Sequence, residues 1–303
     1  MTWELRGRTV FVTGAARGIG AETARRAAAA GANVAVVGLE PEELARVAAQ
    51  CGPNAAPFEA DVTDWHALER AVEGTVERFG GIDVVMANAG IAPAGMVRSM
   101  DPRAFEKTIE INLLGAWRTV RSCLPQVIER KGYVLVTASL AAAAHAPGMA
   151  AYSASKAGVE AFSNSLRAEV KRLGVDVGVA YFGFIDTDMV RGTDTHPALS
   201  KLREQSLGPL GKTHPVSAVG RAVLAGMEGR SRTVTVPRWV KAVLYLRGVL
   251  QPLTERGAYD RAAEADQLFM DDVRERGAEA ASAPIGAGGE AVQRVDREAA
   301  GTP

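Results

Sequence analysis

Three short runs rich in β-branched residues, "RTVFVTG", "ANVAVVG" and "IDVVMANAG", each end at a glycine early in the chain. Each is too short for a helix and apolar at successive positions, the pattern of a strand covered on both faces. Helical stretches, "GAETARRAAAAG" and "WHALERAVEGTVERFG", separate them. Two further strand runs follow, "GYVLVTAS" and "VDVGVAYFG", and a sixth is expected at "RTVTVP". The helices between them are "AFEKTIEINLLGAWRTVRSCLPQVIER", read from Ala104, and "SKAGVEAFSNSLRAEVKRLG", read from Ser155. Strands alternating with helices close right-handed βαβ crossovers, so the fold class is α/β: one domain built on a doubly wound parallel sheet.

Composition fits that reading. Of 303 residues, 47% are hydrophobic and 23% charged, enough to bury a core in a soluble protein. Lys+Arg and Asp+Glu both number 35, so no net field recruits nucleic acid. Cys51 and Cys123 have neither metal-ligand spacing nor a disulfide framework, and His66, His145, His196 and His214 are scattered. No metal site is expected. With no signal-like segment in "MTWELRGRTVFVTGAARG" and no uncharged run of spanning length, the expected location is the cytoplasm.

The first strand runs straight into "TGAARGIG" and then a helix. Glycines at 14, 18 and 20 let a diphosphate approach the main chain, and the helix start offers free N–H groups. The spacing is G-x-x-x-G-x-G rather than the commoner G-x-G-x-x-G, and a purely structural turn remains open. The second strand ends in "VVGLEPEEL", placing Gly38 and Leu39 where an acid would select NAD. Glu40 is either a ribose contact or a solvated first-turn charge. Arg17 is in place to meet a 2′-phosphate. The slight lean is to NADP.

Two segments lie outside the alternation. Residues 189–215, rich in Gly, Thr, His and Pro, follow a strand's carboxyl end and are expected to form a mobile lid over the substrate. After Pro237 the composition changes. "RWVKAVLYLRGVLQPL" is amphipathic, with Trp239, Val243, Leu246 and Leu250 on one face and Arg238, Lys241 and Arg247 adding basic character. The reading is a catalytic domain over 5–236, a helical extension over 237–275 and a disordered tail over 276–303, where Ala, Gly and charge leave little to bury.

The chain resembles the short-chain dehydrogenase/reductase family. The marks are "TGAARGIG" at Thr13 to Gly20, "NAG" at Asn88 to Gly90, "INLLG" with Asn112, Ser139 in "VTASL", Tyr152 and Lys156 in "YSASK", and Thr187 in "FIDTDM". Asn112 to Ser139 is 27 residues, Ser139 to Tyr152 is 13 and Tyr152 to Lys156 is 4. The resemblance covers roughly residues 5 to 236 and implies a Rossmann-type fold with a nicotinamide cofactor, NAD or NADP. It implies catalytic roles for Asn112, Ser139, Tyr152 and Lys156. It also implies cofactor contacts from Gly14, Arg17, Gly18, Ile19 and Gly20 in the first turn, with Leu39, then Asp61 and Val62 at the adenine. Asn88, Ala89 and Gly90 would support the site, Tyr152 and Lys156 would reach the ribose end, and Gly183, Ile185 and Thr187 the nicotinamide. Where the family usually has Pro-Gly, this chain has Phe182-Gly183.

The chemistry gives those residue types a reason. A hydride delivered to a carbonyl carbon leaves charge on its oxygen, which needs a proton. Free tyrosine titrates near ~10, and bringing it to ~7 favours the phenolate by roughly 4 kcal/mol. An ammonium one turn along the helix can supply much of that, so Lys156 is expected to keep Tyr152 acidic. Ser139 would bond the substrate oxygen, and by the resemblance Asn112 would anchor a proton-relaying water toward Lys156. Taken singly, Ser139 as a strand-end cap and Asn112 as a satisfied helix residue are equally good readings. His145 reads as an exposed loop histidine in preference to a substrate contact. Asp186 and Asp188 read as turn or cap residues in preference to a carboxylate pair.

The expected activity interconverts a secondary alcohol and a ketone or aldehyde, on a small to medium hydrophobic substrate. The alternatives are a non-catalytic dinucleotide-binding sensor or scaffold, and an epimerase or dehydratase on the same scaffold. The resemblance also suggests a homodimer or homotetramer built on the helices beginning near Phe105 and Ser155. Peripheral membrane contact through 238–253 is the lesser reading of that amphipathic stretch.

Overall fold

The computed structural model describes residues 3–196, 199–200 and 211–299. Seven strands form one sheet: β1 Thr9–Thr13, β2 Asn33–Gly38, β3 Ala55–Glu59, β4 Val84–Ala87, β5 Tyr133–Thr137, β6 Asp176–Phe182 and β7 Thr233–Val236. Their spatial order is β3-β2-β1-β4-β5-β6-β7, and every pairing is parallel. The order reverses between β1 and β4, and ligands bind in the crevice that such a reversal opens at the strands' carboxyl ends.

The central strands are buried at every position, as their apolar runs require. β3, "AAPFE", is the strand that periodicity missed. It lies on the sheet's edge, half of it is open to solvent, and Pro57 interrupts its pattern. Helices cover both faces: α1 Gly18–Ala29, α2 Pro41–Cys51, α3 Trp65–Phe79, α4 Pro102–Ile109, α5 Gly115–Glu129, α6 Ala150–Val170, α7 Asp188–Thr195 and α8 Val216–Glu228. One core joins Phe11, Leu68, Ile82, Val120, Val134 and Val159; the other joins Val10, Leu44, Val84, Leu135, Val219 and Met227.

Between α4 and α5 the chain widens into a π-helical turn, Glu110–Leu114, so that 102–129 is one helix with a bulge at Asn112. Such bulges concentrate where a side chain must be re-aimed. Helix α6 begins at Ala150, five residues before the sequence-based start, and therefore carries Tyr152 and Lys156 on one turn.

After β7 a long helix, α9, spans Val240–Arg276. Val240 is anchored in the core, while Tyr245, Leu246 and Val249 are exposed. The tail expected to be disordered instead carries α10 Ala278–Ala281 and α11 Ala287–Ala299, and Ala281, Ser282, Ala291 and Val292 are buried. The reason is tertiary: its few apolar residues need only cover a groove that the rest of the fold supplies. Of the expected lid, α7 is helical and Ile185 pairs with His214, while 197–198 and 201–210 lie outside the described residues.

Candidate active site

The glycine turn links β1 to α1. Gly14 and Gly18 have φ of 64° and 54°, conformations that side chains disfavour. A Cβ on Gly14 would sit 2.8 Å from the Ala89 Cα, and one on Gly20 would collide with the Gly14 carbonyl. The helix thus packs directly on the turn. α1 starts without a side-chain cap, leaving first-turn N–H groups beside the cleft.

Hydrogen bonds lace the ends of β1, β4 and β5. Asn88 donates its backbone N–H to Thr13 Oγ1 (3.1 Å) and its Nδ2 to the carbonyls of Thr13 (3.1 Å) and Gly14 (3.3 Å). Thr137 Oγ1 donates to Asn88 Oδ1 (3.4 Å), and the Thr137 carbonyl accepts from Lys156 Nζ at 2.9 Å. Below them Asn112, 1% exposed, accepts from Ile91 N–H (2.8 Å) and donates to the Ile91 carbonyl (2.9 Å) and Ser155 Oγ (3.0 Å). Its Oδ1 keeps a second lone pair. A Cβ placed on Gly90 would lie 3.0 Å from that Oδ1 and 3.4 Å from Lys156 Nζ, so the glycine lets both polar heads converge.

Ser139 follows β5, and its Oγ accepts from Ala141 N–H at 3.2 Å. The same hydroxyl donates to the Phe182 carbonyl at 3.5 Å and faces the Tyr152 phenol, and Lys156 Nζ lies 5.7 Å from the Tyr152 ring centre. The electrostatics differ from expectation. Burial pushes the Tyr152 phenol above its ordinary value, opposed by the Ser139 bond. Burial also pushes the Lys156 ammonium down to about 8. A low-dielectric pocket disfavours both charged forms in the protein alone.

At the other end Arg17 meets Glu40, with Nε donating to Oε2 at 3.1 Å, and lies 3.6 Å from Asp188. Burial works against the Arg17 charge, but Glu40 and Asp188 hold its pKa above the usual arginine value. Asp186 and Asp188 both pair with Arg191, and Thr187 caps α7, accepting from Val190 N–H at 3.4 Å. They form ion pairs, not a carboxylate dyad. His145 is exposed, 3.5 Å from Gln251. Among the described residues no His, Cys, Asp and Glu gather in a metal-holding group, and no helix is long and apolar enough to cross a membrane.

One cleft of about 1380 Å³, its open mouth included, runs along these strand ends. Gly14, Arg17, Gly18, Ile19 and Leu39 line it, as do Asp61, Val62, Asn88, Ala89 and Gly90. So do Ser139, Tyr152, Lys156, Gly183, Ile185 and Thr187. Gly20 and Asn112 stand behind the wall. The shape fits a dinucleotide: a glycine cradle at one end, a phenol, a hydroxyl and an ammonium at the other. Sequence reasoning missed Thr137, whose carbonyl holds the lysine. It also missed Ile285, Gly288, Gly289, Ala291 and Val292, which close the cleft from the tail. The glycine cluster "IGAGG" was the available signal, hidden in a stretch read only by composition.

These features define an α/β protein of the Rossmann type, with a glycine turn at one end of its cleft and Ser139, Tyr152 and Lys156 at the other. The short chain dehydrogenase family profile matches residues 8–198, and the chain belongs to that family. It is 33% identical over 212 residues to a fatty acyl-CoA reductase of Acinetobacter baylyi, covering 68% of this chain and 72% of that one. It is 31% identical over 260 residues to 11-beta-hydroxysteroid dehydrogenase 1A of Arabidopsis thaliana, covering 82% and 73%. It is 30% identical over 212 residues to the 3-oxoacyl-acyl-carrier-protein reductase FabG of Escherichia coli, covering 70% and 87%. A solved structure, the crystal structure of gox2181, superposes with a TM-score of 0.73 at 25% identity, covering 79% of this chain and 98% of that one. As a family member, the chain is an NAD- or NADP-dependent oxidoreductase acting on a small molecule.

Proposed function

We propose that the protein interconverts a secondary alcohol and a ketone or aldehyde of small to medium size and hydrophobic character. The observation carrying this is the convergence of Ser139, Tyr152 and Lys156 on one cleft whose far end is the glycine cradle. When bound, the nicotinamide would accept the hydride from the alcohol carbon, or return it to the carbonyl. The protein's part is the proton and its positioning. In oxidation the Tyr152 oxygen takes the hydroxyl proton as the C–H electron pair leaves; in reduction the phenol returns it to the oxygen. Ser139 Oγ, beside that phenol, orients the same oxygen and spreads its charge. Lys156, fixed by Thr137, supplies the positive charge that makes the ionised phenol affordable, and Asn112 would anchor a water that relays protons toward it.

The Arg17–Glu40 pair bears on the nucleotide. A free Arg17 favours a 2′-phosphate; here Glu40 holds it and would repel that phosphate, whereas a ribose hydroxyl can donate to Glu40 with the pair intact. This supports NAD over the sequence-based lean to NADP. Leu114 and Trp117, exposed at 36% and 42% on the helix through Asn112, support assembly through that face.

The test follows NADH and NADPH absorbance separately across a panel of hydrophobic ketones and alcohols. Turnover with net cofactor consumption supports the reading. Tight cofactor binding without turnover across the panel would instead identify a sensor, and product formation without net cofactor change an epimerase or dehydratase.

A further inference from the structure

We propose that the C-terminal segment 282–299 is a strap forming the outer wall of the dinucleotide site, so that cofactor release requires it to lift. The inference rests on the cofactor reading above and extends it to a segment outside the family match, which ends at residue 198.

The segment crosses the cleft and returns. On the α4 side, Ser282 Oγ accepts from Asp101 N–H at 3.0 Å, and Ile285 N–H donates to the Ala92 carbonyl at 3.4 Å. On the α7 side, a Cβ on Gly192 would collide with the Ile285 side chain, and one on Gly286 would lie 2.7 Å from the Asp188 carbonyl. Helix α11 then leads back to α4, where Lys107 Nζ donates to Asp296 at 2.7 Å. Arg103 pairs with Glu279 at 3.3 Å on the same side.

Between these anchors Ile285, Gly288, Gly289, Ala291 and Val292 face the same cavity as the glycine turn and Tyr152. Four of the five are glycine, alanine or valine, a thin wall. With the strap in place the cleft encloses about 240 Å³, below the roughly 300–1,000 Å³ of ordinary ligand pockets. The strap therefore has to give way for a dinucleotide to pass. On the α4 side the Ser282–Asp101 bond is buried and holds the start of the segment, while the two ion pairs are exposed and individually weak, which suits an element that swings open from that start.

Gly288 tests the wall. A Cβ there meets only Arg17 Cδ, 4.0 Å away, so a larger side chain is tolerated locally and projects toward the cleft. Gly288→Leu should weaken NADH and NADPH binding about tenfold or more while leaving the thermal unfolding temperature unchanged. Lys107→Glu, remote from the chemistry, should speed cofactor dissociation about two- to fivefold, and the charge-swapped pair with Asp296→Lys should restore it. In the full-length protein, either dinucleotide should slow amide exchange over 285–292. Wild-type binding with unchanged affinity and release in both variants would make the segment a bystander and overturn the proposal. Tighter binding in either variant would make it a competitor and overturn it equally. A wild-type chain that bound neither dinucleotide would sink the oxidoreductase reading together with the strap.

Discussion

Lys156 is a group the fold accommodates at a cost to stability, and Lys156→Met measures that cost. Methionine keeps the unbranched stem and removes the ammonium. Lys156 is 4% exposed, and burial lowers its pKa from 10.5 to about 8. That difference corresponds to roughly 3 kcal/mol by which the pocket disfavours the charged form. Against it stands the bond to the Thr137 carbonyl, whose loss leaves a buried acceptor unpaired at about 2 kcal/mol. At neutral pH the variant should therefore be more stable than the parent by about 1 kcal/mol. The sign then reverses. Below about 8 both folded and unfolded lysines are protonated and the penalty is fully present; between about 8 and 10.5 the folded state has released its proton while the unfolded state keeps it. Parent stability consequently rises with pH across that window, and the variant lacks the rise. Near pH 10.5 the variant should be less stable than the parent by about 2 kcal/mol. Urea unfolding of both cofactor-free proteins at the two pH values reads this crossing. A stability difference unchanged with pH would refute the reasoning.

Three further outcomes are expected. Tyr152→Phe should lower kcat by ~10²–10⁴-fold with cofactor Kd little changed, checked by steady-state rates beside fluorescence titration; near-normal turnover would remove the proton-transfer assignment. Glu40→Gln should free Arg17 and improve the Kd ratio for NADPH over NADH by ~5- to 10-fold, read in paired titrations. Gly90→Ala places a methyl 3.0 Å from Asn112 Oδ1 and 3.4 Å from Lys156 Nζ, and parting those heads should slow turnover ~10- to 100-fold in single-turnover measurements.

The chain's local chemistry announced much of this. Glycine-bounded strand runs and intervening helices are set by short-range pattern, so the sheet's middle and the turn at Gly14–Gly20 were legible. The Tyr152–Lys156 spacing was legible too, because four residues on a helix share a face. What stayed hidden depends on distant partners. β3 takes its strand form from pairing with β2, not from its own mixed residues. The bulge at Asn112 answers to Ile91 and Ser155 across the fold. Arg17 looked available for a phosphate until Glu40, beyond β2, was found holding it. The phenol's pKa was judged from its charged neighbour alone, while burial, a property of the whole fold, set its direction. The tail's order likewise depends on a groove made by residues far earlier in the chain.

The lacing of Thr13, Asn88, Thr137 and Lys156 ties the glycine turn to Lys156 through three neighbouring strand ends. Parallel strands stand about 4.8 Å apart, a spacing imposed by backbone geometry and indifferent to side-chain identity. The sheet thereby acts as a fixed calliper: one jaw carries the glycine turn, the other the Ser139, Tyr152 and Lys156 cluster, and the gap between them is an invariant of peptide pairing. On the proposed function, substrate preference can drift through the loops above while the distance that hydride transfer would demand stays set.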